Sequence, residues 1–268
     1  MEILDFLRYS FIQKAFIAGS FTAAACSVLG VFLVLRKMSL IGDGLSHVSF
    51  GALALGLFFG VYPFYIAAPV AVLGAYAILK ITEKAKVYGD AAIGIVSAAG
   101  IAGGVILASI SGGFNVDIFS YLFGNILSVS SAEVWLSVAI SFVILLMLYF
   151  FYWDLFSAAF DGEYAATLGV KTNFVNTLLV CLTAVTVVLA VKTVGVMLVS
   201  ALLILPAVTV LQAVKSFKAA LLSAVIVSVT SVILGIVFAL LFNLPAGAAI
   251  VMVNLLFFAI AVLYRRVV

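Results

Sequence analysis

The sequence predicts an all-α, polytopic integral membrane protein, built as a bundle of eight or nine transmembrane helices. Only 9% of its 268 residues are charged, whereas soluble proteins carry roughly 25%. Hydrophobic residues make up 67% of the chain, and they occur in continuous runs. Such runs are typical of membrane helices and disfavour a strand barrel, whose sequence alternates. We expect one transmembrane domain over residues 1–268, with no soluble domain attached.

The charge-free runs place the individual helices, because a spanning helix needs about 20 apolar residues. Two runs, 44–79 and 219–264, are long enough for two helices each, with Pro63 and Pro245 as the expected break points. The interval 173–213 leaves the count open, since it could hold two spans or one span and a broken piece. The expected spans are 11–35, 39–60, 63–81, 90–110, 132–153, 173–191, 194–213, 219–241 and 246–264.

Basic residues predict the orientation, because they favour cytoplasmic loops. These spans place the following basic residues on one side: Arg36, Lys37, Lys80, Lys84, Lys86, Lys171, Lys215, Lys218, Arg265 and Arg266. The C-terminus then lies on the cytoplasmic side of a bacterial cell membrane and the N-terminus on the outer side. Three basic residues, Arg8, Lys14 and Lys192, depart from the rule because they fall on the outer side. The net charge of +3 gives no indication of a nucleic-acid partner.

Two irregular segments connect the spans. On the predicted cytoplasmic side, residues 161–168 predict a short helix with acidic residues in its first turn and Gly169 at its end. The pattern alone leaves open whether this helix is an amphipathic connector or a docking helix for a soluble partner. On the outer side, residues 111–125 predict a short interfacial helix after Gly112 and Gly113.

Motifs for catalysis are absent from the sequence. The chain has no G-x-x-x-x-G-K-[ST] phosphate loop, no G-x-S-x-G elbow and no H-E-x-x-H helix, and it has a single histidine. These absences disfavour an enzyme that acts alone.

The single histidine belongs to the stretch MSLIGDGLSHVSFG, residues 38–51. Asp43 and His47 are four residues apart, which places them on one face of a helix. A carboxylate and an imidazole suit Zn²⁺, Mn²⁺ or Fe²⁺, although a structural hydrogen bond between them explains the spacing equally well. Zinc takes about four ligands, so a twofold dimer with this face on its axis would complete a site.

A glycine and a proline interrupt the late apolar stretch VKTVGVMLVSALLILPAV, residues 191–208. Gly195 and Pro206 are expected to break a span near mid-depth. Broken helices often border translocation pathways, but a simple helix kink is the equally good alternative.

These stretches together resemble a known family. The segment GVFLVLRKMSLIGDGLSHVSFGALALG, residues 30–56, is similar to the permease subunit of zinc/manganese ABC importers. The segments 117–130, 160–170 and 194–210 resemble the family's central outer segment, its coupling helix and its late glycine- and proline-bearing span, in the same order. The resemblance covers essentially the whole chain and implies a type II ABC importer-like permease.

The resemblance also implies partners and site residues. Such permeases form homodimers, bind two cytoplasmic ABC ATPases and receive the ion from an extracytoplasmic metal-binding protein. Asp43 and His47 match the metal-coordinating pair, and no resident cofactor is implied besides the transported Zn²⁺ or Mn²⁺. Details of the motifs favour zinc weakly. The residues that match the coupling segment are Asp161, Gly162, Glu163, Ala165 and Gly169.

Two other classes of protein remain open at this stage. A secondary transporter or channel could use the same Asp–His pair, but it would not need a docking helix at 160–170. A membrane enzyme with a metal at this pair would need a third ligand and a nearby acid or base, and the sequence offers few.

Overall fold

The computed structural model describes residues 9–85, 87–110, 122, 124, 129–196 and 198–267. All but two residues of the outer segment 111–125 lie outside these ranges, and so does most of the stretch 117–130. Within the described ranges the regular structure is helical, and the helices with their bounds are α1 (Ser10–Leu35), α2 (Ile41–Phe58), α3 (Pro63–Lys84), α4 (Gly89–Ile110), α5 (Ser131–Phe150), α6 (Tyr152–Phe160), α7 (Gly162–Thr167), α8 (Thr172–Val194), α9 (Val199–Ala213), α10 (Phe217–Phe242) and α11 (Ala246–Val267).

Eight of the described helices are long and apolar enough to cross a membrane: α1 to α5, α8, α10 and α11. The predicted all-α membrane bundle is therefore confirmed. Both proline break points are also confirmed, because Pro63 is the first residue of α3 and Pro245 lies in the turn between α10 and α11. Asn243 ends α10 in the left-handed conformation, with φ of 53°.

The interval 173–213 forms one span and one shorter helix, so the ninth span is not formed. Helix α8 ends at Val194, and α9 has only 15 residues, about 22 Å at 1.5 Å per residue, which is short of the hydrocarbon thickness. Gly195, with φ of 95°, makes the break. The expected break at Pro206 is not formed, since α9 continues through this residue. A proline within a helix loses one backbone hydrogen bond, a cost that contacts with neighbouring helices can offset.

Helices α1, α2 and α8 form the interior of the bundle. Their spanning windows are 72%, 67% and 67% buried, whereas that of α4 is only 17% buried. Helix α1 packs against α5, α8, α9 and α10. Helix α9 approaches α1 closely at Gly30, where an added methyl group would stand 1.9 Å from the carbonyl oxygen of Leu203. The hydroxyl of Ser228 on α10 also donates to the carbonyl of Ala23, at 3.0 Å.

A charged cluster joins three elements on the predicted outer side. The carboxylate of Glu133, in the first turn of α5, accepts hydrogen bonds from the Tyr62 hydroxyl before α3 and from the Lys192 ammonium near the end of α8. Its second oxygen accepts the Ser130 amide at 2.8 Å, in a capping box that begins α5. The cluster therefore ties the ends of α5 and α8 to the α2–α3 turn.

Candidate functional site

The Asp–His pair lies at the start of α2. Asp43 is in the first turn of the helix, where the positive end of the helix dipole favours a carboxylate. His47 Nε2 lies 3.6 Å from Asp43 Oδ2. The predicted placement on one helix face is thus confirmed. The structural hydrogen bond is not formed, because 3.6 Å exceeds hydrogen-bonding distance.

Both side chains of the pair are accessible. The Asp43 side chain is 47% exposed and that of His47 is 24% exposed, in a helix whose other residues are mostly buried. Ionisable residues inside a membrane bundle normally face its interior or a water-filled space. An exposed carboxylate beside an imidazole can therefore accept a metal ion from one open side.

Glycines let two other helices approach α2 closely around the pair. A methyl group on Gly42 would stand 2.6 Å from the Leu203 side chain of α9, and one on Gly44 would stand 2.5 Å from the Ile93 side chain of α4. One turn beyond His47, a methyl on Gly51 would meet the backbone carbonyl of Gly100 at 2.5 Å. The backbone of α2 is consequently clamped between α9 and α4.

The two serines beside the pair are occupied by the backbone of α2. Ser46 donates its hydroxyl proton to the Asp43 carbonyl at 2.7 Å, and Ser49 donates to the Leu45 carbonyl at 2.7 Å. Their hydroxyls therefore help to satisfy the first turns of the helix.

One chain supplies only part of a metal coordination sphere. No group of three or more His, Cys, Asp or Glu side chains comes together among the described residues. Asp43 and His47 offer carboxylate oxygens and one imidazole nitrogen, which suit Mn²⁺ and Zn²⁺ alike. Further ligands must then come from water, from backbone carbonyls or from a second chain.

The predicted cytoplasmic segment forms the short helix expected from its sequence. Asp161 caps α7, because its Oδ1 accepts the amides of Glu163 at 3.1 Å and Tyr164 at 2.9 Å. Gly169, with φ of 88°, ends the helix, and the next amide, that of Val170, donates back to the Ala165 carbonyl at 3.1 Å. The local structure predicted for 161–169 is therefore confirmed.

Helix α7 presents one buried residue and a broad exposed face. Ala165 is fully buried against the bundle. Glu163 is exposed, and the side chains of Tyr164 and Leu168 are each 62% exposed. Large apolar side chains exposed beside a carboxylate suit a contact with a soluble protein. Its role as a docking surface stays a prediction.

Replacing Asp161 by alanine should weaken binding of a partner ATPase about fivefold, because loss of an N-cap costs about 1 kcal/mol. A helix of six residues has little stability of its own to offset that loss. Co-purification of the ATPase with the permease at graded salt measures the effect. Asp161→Asn, which keeps a capping oxygen, is the matched control and should bind normally. Equal loss in both variants would instead indicate that the partner recognises the carboxylate.

Sequence analysis missed the separate helix α6 and the aromatic cluster that holds it. The rings of Phe156 and Phe217 are 5.0 Å apart between centroids, and that of Phe160 lies 5.9 Å from Phe217. Phe217 also contacts Phe32 of α1, with centroids 5.4 Å apart. The cluster fixes the segment that leads into α7 against α10 and α1. The aromatic-rich run 149–160 was its only signal in the sequence.

The late segment with Gly195 and Pro206 lies next to the Asp43–His47 pair through α9. Leu203, which contacts Gly42 of α2 and Gly30 of α1, is one turn before Pro206. Gly195 lies before the first residue of α9. A methyl group built on Gly124 would stand 2.6 Å from the amide nitrogen of Gly195. The structure thus brings α9 against the helix of the pair, while a direct role of Gly195 or Pro206 in a pathway stays a prediction.

The helical bundle is that of a multi-pass membrane protein, and comparison with known proteins gives its family. A profile of the ABC 3 transport family matches residues 8–265, so the chain belongs to that family. It is a multi-pass plasma-membrane permease subunit of a metal ABC importer, not an enzyme itself. The resemblance inferred from the sequence is confirmed.

Individual relatives within this family are also similar to the chain. The chain is 34% identical over 258 residues to the manganese transport system membrane protein MntC of Listeria monocytogenes, covering 96% of this chain and 92% of that protein. It is 33% identical over 253 residues to the manganese import system permease protein ScaB of Streptococcus gordonii, covering 94% and 91%. The structure of PsaBC from Streptococcus pneumoniae in complex with Fab matches with a TM-score of 0.88 and 32% identity, covering 97% and 95%. The weak preference for zinc gains no support from these relatives.

Proposed function

We propose that this chain is the permease of an ATP-driven manganese importer. The observation that carries the proposal is the exposed Asp43–His47 pair, 3.6 Å apart, in a family member whose relatives MntC and ScaB are named for manganese. The sequence motifs alone weakly favour zinc. A carboxylate and an imidazole accept either ion, so the choice of manganese over zinc rests on the names of the relatives MntC and ScaB.

We further propose that a second copy of the chain completes the site. Helix α4, which packs directly on α2 beside His47, is the least buried span. Its exposed face carries small residues at helical spacing, and such faces favour close contact between membrane helices. These residues are Ala91, Gly94, Ala98 and Ala102. A purified transporter with one permease copy for two ATPase copies would contradict this arrangement.

The proposed mechanism is alternating access powered by a separate ATPase. Closure of two ATPase subunits would move α7, and α5 and α8, which flank α6 and α7 in the chain, would carry the movement to the bundle. The metal pair should hold the ion only transiently, because tight binding would slow release. An extracytoplasmic metal-binding protein would deliver the ion.

ATP-dependent uptake into vesicles tests this function. The vesicles contain the permease, its cognate ATPase and the binding protein, and radioactive Mn²⁺ is offered with unlabelled Zn²⁺ as competitor. We expect Mn²⁺ uptake that stops without ATP and that Zn²⁺ reduces only in excess. Preferential uptake of Zn²⁺ would restore the zinc assignment. Uptake that persists without ATP would favour a secondary transporter.

A further inference from the structure

We propose that a groove between α1, α5 and α10 binds an anionic phospholipid of the adjacent leaflet. The groove lies at the end of the bundle that leads into α6 and α7, which is the predicted cytoplasmic side. The lipid's acyl chain would fill the groove, and its phosphate would lie at Lys218. This inference goes beyond metal transport and does not depend on it.

The groove is a built cavity with apolar walls. Helices α5 and α10 both pack against α1, and α1 forms the floor between them through Val28 and the buried Phe32. Its volume is about 720 Å³, within the range of about 300–1,000 Å³ that small-molecule sites occupy. The walls include Leu145 of α5 and Val225 of α10, which suit an acyl chain.

A cation and an indole lie at the mouth of the groove. Lys218 Nζ stands 5.7 Å from the centre of the Trp153 ring, and both side chains line the groove. Lys218 is exposed, and within the described part of the chain it forms no ion pair with a carboxylate. Asp154, the acidic residue next to Trp153, is partly buried on α6. A phosphate at the mouth would therefore meet a lysine that is available to it.

The position of these residues along the helices selects a lipid as the occupant. Trp153 and Tyr152 follow the end of α5, and Lys218 is the second residue of α10. Tryptophan and tyrosine concentrate where a membrane meets water, and lysine there attracts anionic headgroups. We therefore expect the mouth at headgroup level and the apolar part of the groove at the level of the acyl chains.

An occupied groove would support the segment that precedes α7. Trp153 belongs to α6, and α6 is otherwise held by the aromatic cluster around Phe217. A lipid wedged between α5 and α10 adds contacts to Trp153 and neutralises Lys218. The inferred lipid is therefore a structural ligand of the arm that carries α7.

Photolabelling of the full-length chain tests the inference without metal or ATP. The chain is placed in phosphatidylcholine nanodiscs containing a small fraction of photoactivatable phosphatidylglycerol, and labelled peptides are identified by mass spectrometry. We expect labelling of the peptides around 145–153 and 218–225. A phosphatidylcholine probe with identical chains should label them several-fold less, because it lacks the net negative charge.

Three variants separate the charge from the cavity. Lys218→Gln should reduce phosphatidylglycerol labelling about fivefold, as expected for one lysine at the membrane surface. Lys84→Gln, at the exposed end of α3 on the same predicted side, should leave labelling unchanged. Val225→Phe should reduce labelling by both probes, because the ring occupies the groove. Unchanged phosphatidylglycerol labelling of the Lys218→Gln variant would overturn the proposal, and so would equal labelling of the wild-type protein by the two lipid probes. Both outcomes can be read even if Val225→Phe fails to fold.

Discussion

Replacing Asp43 and His47 together by alanine is expected to lower ATP-dependent Mn²⁺ uptake by more than roughly 100-fold, since even the outer-shell partners of metal ligands cost 10–100-fold when lost. The pair supplies the acidic oxygens and the imidazole of the proposed site, and the single histidine of the chain has no substitute. Vesicle uptake at a fixed ATPase content measures the loss. Each single variant should retain part of the activity, because one ligand remains.

The fold should survive this double replacement. Both side chains are partly exposed and 3.6 Å apart, so neither fills the packed interior of α2. Unchanged elution of the permease–ATPase complex would confirm that. The matched control is Glu83→Ala, which also removes a carboxylate. It breaks an exposed ion pair with Lys80, at 2.8 Å, and should leave uptake unchanged. Normal uptake by the Asp43/His47 variant would refute the assignment of the site.

Replacing Gly30 by alanine is expected to destabilise the protein by about 1–3 kcal/mol, the usual cost of overpacking. The added methyl would stand 1.9 Å from the carbonyl oxygen of Leu203 and 3.4 Å from the Ala207 side chain. Backbone cannot move aside as a side-chain tip can, so α9 must separate from α1. Unfolding in mixed micelles, followed by circular dichroism, measures the change.

The matched control is Gly103→Ala. Gly103 also lies within a helix, but a methyl group built there has no neighbour within 4 Å. Both substitutions raise helix propensity equally, so Gly103→Ala should be neutral or stabilise by up to about 1 kcal/mol. The difference between the two variants isolates the α1–α9 contact. Similar stability in both would mean that α1 and α9 can separate at little cost.

Most of the bundle was predictable because a membrane imposes length and hydrophobicity on its helices. Continuous apolar runs located eight spans, and two prolines located their turns. The interval 173–213 was ambiguous because two short apolar halves look the same whether or not each crosses the bilayer. Hydropathy also could not show that helix α9 continues through Pro206, or that helix α8 ends before Gly195.

The candidate site was predictable only in part. The four-residue spacing of Asp43 and His47 predicted their shared face, and the cap and stop residues predicted α7. The cluster around Glu133 could not be found in the same way, because Tyr62 and Lys192 lie 71 and 59 residues from it in the chain. The preferred metal is not determined by the pair either, since carboxylate and imidazole accept both ions.

The Glu133 cluster has a mechanical consequence for the proposed coupling helix α7. Helices α5 and α8 are joined at one end by the Glu133–Lys192 ion pair and at the other by α6 and α7, so the four elements form a closed frame. In such a frame, a displacement of α7 would tilt α5 and α8 together as a rigid body and would not separate them. Gly195, with a positive φ, follows the end of α8. There the tilt would pass to α9 and so to α2, which carries the proposed metal ligands Asp43 and His47.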